Sequence, residues 1–151
     1  MKKVKINCLV SSTLIGGTVL LGGLAAGSAA VAAGSAEAKV AIPATSDAIW
    51  QSIDKEVEQL AMLIQSNKLE QVHHHAFAVR ELVAALPARS ASLSADKLAA
   101  VKSNGKFVAA LAERLDATGD AKDKVGTETN FEKLKGVLKT IKSNYAGSGQ
   151  K

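Results

Sequence analysis

The chain of 151 residues offers few of the residues that carry specialised chemistry: one Cys, two Pro, one Trp, one Tyr and three Phe. A single Cys excludes a disulfide scaffold and a Cys-rich zinc module, and without a Cys-x-x-Cys-His there is no covalent c-type haem. Two prolines leave room for long uninterrupted helices. Scarce aromatics argue against an aromatic-rich β-sandwich and against a stacking platform for bases. The 19 basic and 14 acidic residues are interspersed, with no basic stripe, so nucleic acid is not an expected partner. At this length a single domain is expected.

What is present begins with a leader. Lys2, Lys3 and Lys5 precede an uncharged run from Cys8 to Ala33 built of Leu, Val, Ile, Ala, Gly, Ser and Thr. A basic start, an apolar run and small residues at its end describe a secretory signal peptide. Two sites fit the small-x-small cleavage pattern, one at Val31-Ala32-Ala33 and one, preferred, at Ala36-Glu37-Ala38. An uncharged stretch of about 25 residues is also long enough for an uncleaved anchor. The Gly and Ala content and the short apolar core, Leu14 to Leu24, favour cleavage instead. Cys8 lies too early for a lipoprotein anchor. Residues 1–38 hold three Lys and one Glu, so their removal leaves 16 basic and 13 acidic residues, a balance of +3, and no thiol. The expectation is a periplasmic protein of residues 39–151, free of the membrane once cleaved.

The mature chain reads as four helices. Residues 39–45 form an extended lead containing Pro43. Ser46 is expected to cap a first helix, with Ile49, Ile53, Val57, Leu60 and Ile64 on one face. A turn at Ser66-Asn67-Lys68 leads to a second helix whose seam is Leu69, Val72, Ala76, Val79, Val83 and Leu86, and which Pro87 should end. Ser94 caps a third helix with a stripe at Leu98, Val101, Gly105, Val108, Ala112 and Leu115; Gly105 is a candidate for close helix approach. Thr118-Gly119-Asp120 reads as a stop and restart, with Gly119 past one helix and Asp120 capping the next. The fourth helix bears Phe131, Leu134, Leu138, Ile141 and Tyr145, and residues 147–151 should be disordered. No segment alternates with period two, so the fold class is all-α. The expected architecture is an up-down-up-down antiparallel four-helix bundle over residues 46–146. Trp50, Phe77, Phe107, Phe131 and Tyr145 are its expected large core residues.

All three histidines stand together, at His73, His74 and His75. Successive helical residues point about 100° apart, so the three do not face one ion. His75 lies nearest the seam, His73 on a flank and His74 towards solvent. Imidazole suits copper, zinc and nickel. His73 and His75, with Glu70 three residues before His73, are therefore the candidate metal ligands, with copper or zinc the metals in view. Alternatives are surface histidines without a ligand, haem held by His75 and Met62, and a pH-sensitive imidazole. Glu70-x-x-His73 echoes the di-iron motif of bundles, but those need two such motifs and two further Glu residues. Serines sit in caps and turns, no glycine-rich loop follows a strand, and charges are scattered over polar faces. No residue pattern warrants an enzyme.

The end of helix 4, Leu138-Lys139-Thr140-Ile141-Lys142-Ser143-Asn144-Tyr145, in an exported four-helix bundle, resembles the cytochrome b562 family. In that family the Tyr is followed directly by a haem-ligating His, and the other ligand is a Met near the start of helix 1. Here Ala146 follows Tyr145, and residues 47–54 hold no Met. The resemblance thus implies the fold and the periplasmic address, while haem is not the expected ligand. The run His75-Ala76-Phe77-Ala78-Val79-Arg80 with Leu82 to Pro87 also looks like small exported proteins that accompany heavy-metal efflux systems. The reading that follows is a non-enzymatic periplasmic bundle that binds a transition metal or assists metal handling, with a metal ion or an envelope protein as partner. A b-type haem electron carrier and a ligand-free structural or partner-binding bundle are the alternatives.

Overall fold

The computed structural model describes residues 40–146, and every regular element among them is helical. The expected signal peptide over residues 1–38 and the expected disordered tail over 147–151 lie outside the described residues. The elements are α1 (Ser46–Gln65), a 3-10 turn (Leu69–Gln71), α2 (Val72–Ala85), a second 3-10 turn (Leu86–Arg89), α3 (Ala95–Asp120) and α4 (Lys124–Ser143). Each helix packs on its neighbour in the chain, with α1 against α2, α2 against α3 and α3 against α4. No helix of the described residues is long and apolar enough to cross a membrane.

The apolar seams explain the packing. On α2, Val72, Ala76, Val79 and Val83 are buried, as are Leu69 before it and Leu86 after it, which is the seam the spacing of three and four predicts. Ile49, Ile53, Leu60 and Ile64 of α1, Val101, Val108, Ala112 and Leu115 of α3, and Phe131, Leu134, Leu138 and Ile141 of α4 close on it as one core. Burying these side chains supplies most of the driving force, at roughly 1.5–3 kcal/mol for each large one. Where α1 meets α4, Trp50 and Tyr145 meet edge to face with ring centroids 5.6 Å apart, and Lys142 pairs with Asp54 at 2.9 Å. The Tyr145 hydroxyl bonds Ser90 Oγ at 2.8 Å, and Ser90 donates onward to the Leu86 carbonyl at 2.6 Å.

Four expectations need correction. The cap of α1 is Thr45, whose hydroxyl accepts from the Ala48 amide at 3.2 Å, and Ser46 is already helical. Phe107 is no core residue: it is 58% exposed, because the α3 stripe turns Val108 and Leu111 inward instead. Gly105 is not needed for close approach, since a Cβ there would meet Val83 Cγ1 at an ordinary 3.6 Å. Finally, α3 does not stop at Gly119. It runs through Asp120, Lys122 takes the left-handed turn conformation with φ 53°, and Asp123 caps α4 by accepting from the Gly126 amide at 3.0 Å. Gly119 answers to packing instead. A Cβ on it would lie 2.5 Å from the Leu69 carbonyl oxygen and 2.7 Å from Val72 Cγ2. The last turn of α3 therefore rests directly on the start of α2, and only glycine allows that approach.

Candidate metal centre

The geometry of α2 distributes its three histidines. At about 100° per residue, His73 and His75 stand about 200° apart, on opposite flanks of the buried seam, and His74 points away from it. Because α2 packs between α3 and α1, one flank faces each neighbour. His73 and His75 are half-buried and His74 is exposed.

On the α3 flank, His73 meets Asp116 and Asp120. One ligand atom from each of the three lies within 4.8 Å of the others, and among the described residues no other trio of His, Cys, Asp or Glu meets that spacing. The two aspartates are four residues apart, which places them on one face of α3. Gly119 sits between them and sets how near that face comes to His73. The imidazole is also oriented. Its Nδ1 lies 2.9 Å from the backbone carbonyl of Glu70, in the 3-10 turn before α2. A carbonyl only accepts, so Nδ1 donates and the neutral ring keeps its lone pair on Nε2. A ring nitrogen tied to a carbonyl in this way is the usual support of a metal-binding histidine. The His74 ring lies beside it, with centroids 3.7 Å apart and the two planes tilted by 46°.

Electrostatics favours a cation at this point. Asp116 and Asp120 stand near the C-terminal end of α3, where backbone carbonyls already concentrate negative charge, and no basic residue occupies its last turn. One nitrogen and two carboxylate oxygens form a borderline donor set suited to zinc or copper(II), with the remaining positions open to water. Ligands about 2 Å from zinc lie about 3.3 Å from each other in a tetrahedron. Atoms that already lie within 4.8 Å of one another thus need to close by at most about 1.5 Å, within reach of side-chain rotation about χ1 and χ2.

On the α1 flank the partner is different. His75 Nδ1 lies 2.6 Å from Glu56 Oε2, one imidazole on one carboxylate. Glu70, the third expected ligand, contributes its backbone carbonyl to His73, and its side chain is exposed. The structure therefore places His73 and His75 on opposite flanks of α2, and the carboxylates grouped with His73 are those of Asp116 and Asp120. The aspartates lie more than forty residues along the chain from His73, and in the sequence they look like ordinary polar-face charges. Their spacing of four was the one available signal. Met62 is 46% exposed on α1, and Tyr145 packs on Trp50 with Ala146 next in the chain. Compared with known proteins, the chain matches no protein-family model, no curated protein and no solved structure.

Proposed function

We propose that this is a non-enzymatic periplasmic protein whose helices form an up-down-up-down antiparallel bundle, and that it binds a transition-metal ion, zinc or copper(II), through His73, Asp116 and Asp120. One observation carries the reading: a half-buried imidazole, oriented by the Glu70 carbonyl, faces two carboxylates one helical turn apart on the neighbouring helix. The short connections between helices that pack in chain order support the topology. The basic and apolar leader supports export. In this reading the protein carries or buffers the ion, and the open coordination positions allow its exchange with water or with a partner's ligands.

Isothermal titration of the purified chain with zinc and with copper(II), beside a D116N/D120N variant, tests the proposal. One equivalent bound by the wild type and lost in the variant is expected. Equal heats from the two proteins would contradict it.

A further inference from the structure

The α1 flank of α2 carries a second feature that is independent of the metal reading. A cleft of about 860 Å³ lies between α1, the outer face of α2 and the lead segment, with Val40, Ile42, Phe77, Ala78 and Leu82 as its apolar walls. His75 and Glu56 also line it, and neither belongs to the His73, Asp116 and Asp120 group. Its volume lies in the range of small-molecule sites, which typically combine apolar walls with a few convergent polar groups.

The polar groups say what kind of molecule fits. Glu56 accepts from His75 Nδ1 at 2.6 Å, so in the neutral ring the Nε2 lone pair is an acceptor with no protein partner among the described residues. Arg80 is engaged as well. Its Nε and Nη2 lie 3.2 and 3.1 Å from Glu81 Oε1, and its guanidinium stacks 4.4 Å above the Phe77 ring. Arg80 and Glu81 thus neutralise each other, and the Glu56 carboxylate keeps its charge beside the neutral His75 ring. An anion would give up hydration beside that carboxylate without meeting a free cation. A neutral apolar molecule with one hydrogen-bond donor would bury its body on the walls and give its proton to Nε2. We propose that this cleft binds a small neutral molecule carrying a hydroxyl donor on an apolar body, a phenol being the simplest of the class, with His75 as its acceptor and Glu56 as the residue that positions the ring.

The test uses the full chain in the presence of EDTA, so that metal plays no part and the two proposals fail separately. The probes are 4-propylphenol and its methyl ether 4-propylanisole, in which a methyl group replaces the donor hydrogen. Titration should show the phenol bound about tenfold more tightly than the ether, the ratio that one hydrogen bond supports. H75A should bind both alike. E56Q should keep the preference, because the Gln side-chain oxygen still accepts from Nδ1. In the wild type, NMR contacts should run from the probe to the Phe77 ring and the Leu82 methyls, a readout that needs no variant to fold. Equal affinity for the two probes, no binding of either, a preference that survives in H75A or vanishes in E56Q, or the absence of those contacts would each overturn the proposal.

Discussion

His73 and His75 stand two residues apart on one helix. Both are half-buried, and both donate Nδ1–H to an oxygen, one on a backbone carbonyl and one on a carboxylate. Their surroundings diverge completely. His73 faces two carboxylates at the negative end of a long helix, whereas His75 faces a single carboxylate within a largely apolar cleft. In the two proposals the same side chain serves as a cation ligand on one flank and as a hydrogen-bond acceptor for a neutral molecule on the other. The neighbouring helices, and not the histidines, decide which chemistry each flank supports.

Removing the groups on one flank at a time should break this contrast. The largest effect is expected on metal affinity. H73A, or D116N with D120N, should weaken zinc binding on the order of a hundredfold or more, since loss of even an outer-shell partner costs 10–100-fold. H75A should leave zinc affinity within about twofold, as it removes no ligand. Competition with a chromophoric chelator measures both.

Next in size is the packing that brings the α3 flank together. G119A forces a methyl group against the Leu69 carbonyl and Val72, and should lower stability in urea by about 1–3 kcal/mol while weakening zinc binding. G105A is the matched control. Its Cβ finds ordinary contact at 3.6 Å, so it should be neutral or raise stability by up to about 1 kcal/mol through helix propensity. If the two glycines behave alike, Gly119 does not set the approach of α3 to α2.

The helices could be read from the chain because their apolar residues repeat every three or four positions. Val72, Ala76, Val79 and Val83 are buried as that spacing requires. That the three histidines do not face one ion also follows from the 100° step alone. Their partners do not. Asp116, Asp120 and Glu56 reach the histidines only through the register between helices, which side-chain packing and the Gly119 contact establish. Gly119 is deceptive in the sequence for the same reason. A glycine followed by an acidic residue has the local pattern of a helix end, but here a tertiary contact requires the glycine, and Lys122 takes the left-handed turn position. Phe107 shows the limit of counting large apolar residues, since the buried stripe of α3 passes it by.

Smaller effects sharpen the contrast further. E56A breaks a pair whose side chains are about 30% exposed (31% and 29%), and should cost only about 0.5–1 kcal/mol, with zinc binding unchanged. Tyr145, which packs on Trp50 and bonds Ser90, serves as a control. Burial raises its hydroxyl above its ordinary value near 10, and the Ser90 hydrogen bond offsets part of that push. The folded state thus favours the neutral phenol. Its contribution is complete below pH 10 and is lost as the pH rises through the folded-state value. Thermal melting should show stability falling above pH 10 in the wild type, with a shallower fall in Y145F and no change in zinc binding near neutrality.

Long-range ¹H–¹⁵N NMR of the histidine rings follows the three imidazoles separately during a zinc titration. The Nε2 resonance of His73 should move to that of a metal-bound nitrogen at one equivalent, while the His75 ring keeps its resonances. Equal response of His73, His74 and His75, or a response at His75 without His73, would contradict the proposed site.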